Sequence, residues 1–153
     1  MRFTLDSNIL VYAMGDIASP KHKLARDILV QAVASDTFLT NQAIGEFLNV
    51  IRRKYPARFP EAIEQARSLI QLLQIMETAP ERILAGAELS ARHKLQFWDS
   101  VLWSVAQAAG AKILVSEDLQ DGFSLDGMTV LDPFAPANAT RLAGLLAGMA
   151  EPS

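Results

Sequence analysis

Short apolar runs that break off on polar or acidic residues, separated from one another by helical patterns, leave this chain few folds to adopt. Arg2-Phe3-Thr4-Leu5 runs into Asp6, and Ile9-Leu10-Val11 follows almost at once. The simplest reading is a buried strand whose C-terminal end delivers Asp6, with a turn and a helix starting behind it. Residues 36–40 are a brief second run. Residues 111–116 are the clearest strand, closing on Glu117-Asp118, and 128–131 form a last short run ahead of Asp132-Pro133. The runs are continuously apolar rather than alternating, the pattern of parallel strands covered on both faces. In such sheets ligands bind just past the carboxyl ends of the strands, so the acids ending these runs become the first functional candidates.

The intervening segments carry helical spacing. After a loop at Ser19-Pro20-Lys21-His22, residues 23–34 place Leu24, Ile28, Leu29, Ala32 and Val33 along one pattern. Asn41 is placed to cap a helix over 42–55 that stops before Pro56. Pro60 sits where a helix can start, and the pattern runs to Met76 with Ile63, Ala66, Leu69, Ile70 and Leu73 on one face. Pro80 opens another helix to about His93, and 97–109 is a further helix stopped by Gly110. The Ala/Leu-rich stretch 138–149 predicts a terminal helix, and 151–153 a frayed end. The expected organisation is a single α/β domain over 1–153, with a core over about 1–133 and a tail over 134–153.

Charge and composition narrow the function. A formal charge of −3 gives no global pull towards nucleic acid, so such a role needs a local patch or a bound cation. The absence of cysteine removes disulfides, Cys-ligated zinc and thiol nucleophiles together. Asp6 interrupts the opening before a signal-peptide core can form, and no segment has the roughly 18 uninterrupted apolar residues of a membrane span, so a cytoplasmic protein is expected.

Four acids stand out by context. Asp6 follows a strand, where an Asp also serves as a turn former or helix cap. Glu46 lies three residues after Ala43 and four before Val50, at the edge of an apolar stripe. A carboxylate there needs a hydrogen bond, a counter-charge or a cation, unless it faces solvent and pairs with a base such as Arg53. Asp99 stands in the first turn of its helix between large apolar residues; satisfying free backbone amides is its other role. Ser116-Glu117-Asp118-Leu119-Gln120-Asp121-Gly122 puts further acids and a hydroxyl after the best strand, with Asp118 the preferred site residue and Glu117 and Asp121 weaker ones; Asp121-Gly122 also reads as a turn. Gathered unpaired, such carboxylates repel and some take up protons. One or two Mg²⁺ or Mn²⁺ ions remove that conflict, because both prefer hard oxygen ligands and commonly bind a few carboxylates plus phosphate oxygens. The same ions activate a water and clamp a phosphodiester, and reverse the local sign of charge.

Leu-Asp-Ser-Asn-Ile-Leu at the opening, the helix carrying Glu46, the Trp98-Asp99-Ser100 helix start and the post-strand Ser116-Glu117-Asp118 occur in the order found in PIN-domain nucleases. Over residues 1–133 the chain resembles that family, and within it the VapC-type ribonuclease toxins of bacterial toxin–antitoxin pairs. The resemblance implies a three-layer α/β/α sandwich with a central parallel sheet, of which four strands are clear and a fifth unplaced. It implies Asp6, Glu46, Asp99 and Asp118 as the acidic catalytic and metal-binding quartet, with Glu117 able to take the role of Asp118 and with Asn8 and Ser116 as supporting polar groups. The function so implied is metal-dependent endoribonuclease activity, with RNA as substrate and an antitoxin as regulator.

Arg53 lies seven residues after Glu46, nearly on the same helix face, and is a candidate contact to substrate phosphate, although a cation at a helix end is also favoured by the dipole. Arg2, Lys21, His22, Lys23, Arg92, His93 and Lys94 are further basic positions that can line an RNA path. Phe97, Trp98 and Trp103 read as core or interface rather than base-stacking groups, and the apolar surplus of Phe59, Ile63, Leu69, Leu72 and Leu73 suits a homodimer or antitoxin contact as well as extra core. Two other functions compete. A phosphatase with Asp6 as nucleophile usually needs a second acid two residues on, where this chain has Asn8. A non-catalytic RNA-binding domain has no reason to assemble uncompensated acids.

Overall fold

Six strands lie between two layers of helices in a computed structural model that describes residues 1–15 and 18–148. The elements in chain order are β1 (Phe3–Leu5), α1 (Ser7–Met14), α2 (Pro20–Val33), β2 (Thr37–Thr40), α3 (Asn41–Lys54), α4 (Phe59–Leu72), β3 (Gln74–Met76), α5 (Pro80–His93), α6 (Phe97–Ala108), β4 (Ile113–Val115), β5 (Ser124–Leu125), β6 (Met128–Leu131) and α7 (Ala139–Leu146). The sheet order is β3-β2-β1-β4-β6-β5, parallel except for the edge strand β5.

Period-two alternation sorts each strand between two cores. Leu39, Ile113, Val115 and Leu131 join residues of α1, α2, α3, α4 and α7 on one face. Phe38, Leu114 and Val130 join Leu102, Trp103 and Ala106 of α6 on the other, with Leu89 of α5 packed against them. The helix pair on this second face is very close: a Cβ on Gly86 of α5 would lie 2.7 Å from the backbone of Val101. No helix among the described residues is long and apolar enough to cross a membrane.

The chain leaves β1 towards β2 and β3, then returns across the sheet to place β4 on the other side of β1. The reversal puts a switch point between the carboxyl ends of β1 and β4, where an open α/β sheet forms its ligand crevice. The amide of Asp6 donates to Val115 at 2.9 Å and that of Ser116 to Leu131 at 3.0 Å, so the ladder carries both residues to the sheet edge in register.

Several local expectations are corrected. The helical pattern from Pro60 does not reach Met76: α4 ends at Leu72, Leu73 turns extended, and Ile75 pairs with Leu39 in β3. This is the unplaced strand. It is an edge strand, only partly buried, with no Gly or Pro to separate it from the helix. The buried face of α4 is Ala62, Ala66 and Leu69, continued by Leu73, whereas Ile63 and Ile70 are exposed. The sixth strand, β5, forms a hairpin with β6 through Asp126 and Gly127, both at positive φ as a tight hairpin turn requires. Thr40, not Asn41, caps α3, its hydroxyl accepting from Ala43 N–H at 3.1 Å. α2 starts at Pro20, capped by Ser19, so the expected loop at Lys21-His22 is instead its first turn. Trp103 is buried, but Phe97 and Trp98 are exposed and meet edge to face at 5.0 Å. The terminal helix is present as α7; the part of that expectation at Met149, and the frayed end at 151–153, lie outside the described residues.

Candidate active site

Asp6 is buried at the end of β1, where it also begins α1. One carboxylate oxygen accepts from the Ser7 amide at 2.7 Å and the other from the Ser116 hydroxyl at 2.8 Å. Burial raises its pKa to about 6 from an ordinary 3.8, against the lowering effect of those two hydrogen bonds, and the nearby charges of Glu46 and Asp99 push the same way.

Glu46, on the second turn of α3, is held at both oxygens. Oε2 accepts from the Ser7 hydroxyl at 3.1 Å, and Oε1 from Gln42 Nε2 at 2.8 Å. Gln42 also donates to the carbonyl of Trp98 at 2.8 Å, tying α3 to the start of α6 one residue before Asp99. Asp99 is half-buried, and its pKa is raised first by burial and then by Glu46 and Asp118. The structure therefore brings Asp6, Glu46 and Asp99 within electrostatic reach of one another at the switch point, and Asp118 within reach of Asp99. None of the four is ion-paired among the described residues.

The supporting groups knit the two sides together. Ser116 donates to Asp6 while its oxygen receives the amides of Asp118 at 3.2 Å and Leu119 at 3.4 Å, and Asn8 Nδ2 at 3.4 Å. Asn8 Oδ1 in turn accepts from the Glu117 amide at 3.4 Å. The weaker acids point to other tasks. Glu117 accepts from Lys21 at 2.8 Å and Tyr12 at 3.1 Å. Asp121 accepts from the Asp132 amide at 2.9 Å and Asn138 Nδ2 at 3.0 Å, bracing the loop after β4. Of the three acids after β4, only Asp118 raises the pKa of Asp99.

An open cleft of about 380 Å³ runs from Ser7 and Asn8 along α1 to Gly15, and Asp118 and Arg53 both line it. Arg53 is thus placed beside the acids. Other basic candidates are committed elsewhere: Arg2 braces the opposite sheet edge through Ala109 O, Asp36 and Gln74, Lys21 holds Glu117, and Lys23 pairs with Asp27. Ser7 and Gln42 carry no mark of their own in the sequence. The signal for Gln42 is its spacing, one helical turn before Glu46.

The donor set suits a hard cation: carboxylate oxygens with no cationic partner and no sulfur or imidazole. Among the described residues no three acidic or histidine side chains stand close enough to enclose one ion. A cation that keeps several waters, as Mg²⁺ does, needs only one or two direct carboxylates. The fit is therefore to a largely hydrated ion, with all four acids supplying charge.

No curated protein matches the sequence. Solved structures do match in fold. VapC20 of Mycobacterium tuberculosis, described as a sarcin-ricin loop cleaving toxin, is 15% identical with a TM-score of 0.64, over 76% of this chain and 89% of that one. A toxin–antitoxin complex from Klebsiella pneumoniae is 18% identical with a TM-score of 0.63, over 86% and 97%. VapBC2 of Rickettsia felis, bound to a DNA fragment from its promoter, is 15% identical with a TM-score of 0.61, over 85% and 97%. The family profile of the PIN domain matches residues 3–123, from the first strand past the fourth acid, and the chain belongs to the PIN domain family.

Proposed function

We infer that this chain is a metal-dependent endoribonuclease and the toxin of a toxin–antitoxin pair. The observation that carries the reading is the buried Asp6, with a pKa raised to about 6 beside a second acid, Asp99, that is raised too. A fold gains nothing from such carboxylates unless something positive resolves their repulsion. Mg²⁺ or Mn²⁺, as one or two ions, would supply a water of lowered pKa and a counter-charge for the phosphodiester.

The chain's own residues then have distinct tasks. Asp6, Glu46, Asp99 and Asp118 would supply the negative charge that retains a largely hydrated cation, one or two of them directly. The Ser7 amide and Ser116 fix both oxygens of Asp6, while Ser7 and Gln42 fix Glu46, so the donors keep their geometry as charge changes. Asn8 and Ser116 set the turn that presents Asp118. Arg53 attracts the substrate backbone from the cleft wall.

The structural neighbours support the wider role, one being described as a sarcin-ricin loop cleaving toxin and another as a toxin–antitoxin complex. On this reading the chain acts on RNA in the cytoplasm and is restrained by an antitoxin. Ile63, Ile70 and Leu72, exposed on α4 and just above β3, suit a contact with that partner or with a second copy.

The test is cleavage of a mixed structured RNA pool with Mn²⁺, Mg²⁺ or EDTA, beside Asp6→Asn and Asp99→Asn. Metal-dependent cutting by the wild type, lost in both variants, is the expected result. Absence of cutting together with absence of metal binding by calorimetry would replace the nuclease with a non-catalytic RNA-binding domain.

A further inference from the structure

Part of the lining of the cleft beside the acids has no task in the chemistry of cleavage. Val11 of α1 and Val50 of α3 make part of it apolar, and Tyr55, 42% exposed just past α3, adds an aromatic ring. Arg53 and Lys54, on the last turn of α3, supply two cations. Neither is ion-paired among the described residues, whereas nearby Arg58 is held by Glu61 at 3.0 Å and Lys21 by Glu117 at 2.8 Å. Asp118 lines the same space, so the cleft opens directly onto the acidic edge.

A volume of about 380 Å³ is at the small end of ligand pockets, too confined for a double helix. Apolar and aromatic surface with free cations is the environment a splayed nucleotide needs: the base lies against a ring and the phosphate meets a cation. A base paired within an A-form helix keeps its faces in the stack and cannot offer one to Tyr55. We propose that this cleft seats one unpaired nucleotide of the RNA, its base on Tyr55 and its phosphate on Arg53 and Lys54, next to the linkage held at the acids. The position of the cut linkage rests on the nuclease reading; binding of the nucleotide does not.

Binding is measured by fluorescence anisotropy in Mg²⁺ on the Asp99→Asn background, so that the probe is not consumed. The probes are a labelled single-stranded hexanucleotide RNA and a fully paired RNA hairpin. Tyr55→Leu should weaken the single strand by about tenfold, and Tyr55→Phe, which keeps the ring, should not. Replacing Arg53 and Lys54 by Gln should weaken binding and flatten its salt dependence. The hairpin should bind less tightly and be indifferent to Tyr55→Leu. Unchanged single-strand affinity in Tyr55→Leu, or equal binding of the hairpin, would overturn the subsite. Cleavage on the Asp99 background restored to wild type separates the two claims. Wild-type cutting of single-stranded RNA by Tyr55→Leu removes the subsite and leaves the nuclease. Tyr55-dependent binding in a chain that cuts nothing supports the subsite and removes the nuclease.

Discussion

Replacing Asp6 by Asn should make the metal-free protein more stable at neutral pH, the opposite of what loss of a buried, twice hydrogen-bonded residue usually does. The carboxyl titrates at about 6 in the folded chain and near its ordinary 3.8 when unfolded. Below 3.8 both states hold the proton. Between 3.8 and 6 the folded state binds more protons than the unfolded one, so stability falls as pH rises through this window and stays low above it. A displacement of about two pH units at about 1.4 kcal/mol each is a cost of about 3 kcal/mol at pH 7.5. The amide is isosteric and neutral. It keeps the acceptor for the Ser7 amide but must share Ser116, whose oxygen already receives three donors. A net gain of about 1–2 kcal/mol is expected, or about 2–8 °C in Tm for a domain of this size. Denaturant and thermal unfolding in EDTA at pH 4 and pH 7.5 would measure it, with the order reversed at pH 4, where most of the electrostatic cost is gone and the wild type keeps the better hydrogen bonds. Saturating Mn²⁺ should raise the Tm of the wild type well above that of the variant. A variant less stable than wild type at pH 7.5 in EDTA, by the same margin as at pH 4, would refute the claim that Asp6 is held at electrostatic cost.

Other outcomes follow from the same geometry. Metal affinity should fall as pH is lowered through about 6, because the proton on Asp6 competes with the cation; calorimetry across pH 5–7.5 should show this, and Asp6→Asn should show less of it, Asp99 being raised as well. Asp118→Asn should reduce cutting by about a hundredfold while Glu117→Gln keeps cutting within about tenfold, since Glu117 is occupied by Lys21 and Tyr12. Gly86→Ala should cost about 3 kcal/mol in denaturant unfolding without changing metal affinity, because the added methyl meets the Val101 backbone rather than a movable side-chain tip. Ser7→Ala should weaken metal binding with little change in Tm, by releasing one oxygen of Glu46.

The layered sheet was legible because its central strands are buried on both faces and therefore read as unbroken apolar runs. β3 was not, because Leu69 and Leu73 continue the helical spacing into Gln74-Ile75-Met76 and nothing in the composition marks the change. β5 is two residues long and stands on a turn, too short for any period to register. The four acids share one edge because Asp6 and Asp118 follow strands there and Glu46 and Asp99 lie in the first two turns of helices that start there, a relation visible in order and context alone. The sequence favours Asp118 over Glu117, but the physical difference between them was not visible there. It turns on which way two adjacent side chains point after a strand, and on Tyr12 and Lys21, about a hundred positions earlier, capturing one of them. Thr40 displaced Asn41 as a cap by one position, within the fraying that helix starts always show.

The bond from Ser116 to Asp6 joins residues 110 apart in sequence. Contacts of that span form late, since the whole intervening loop must be closed before they give any return. The segment up to α6 contains three of the four acids and most of the helices, yet lacks the strand that receives the Asp6 amide and the hydroxyl that steadies its carboxylate. During synthesis the early helices can collapse first, but the acidic edge is assembled only when β4 slots in beside β1. A chain halted before Ile113 should therefore be largely helical and inert. On the proposed nuclease reading, competence arrives in one late step rather than growing with the chain.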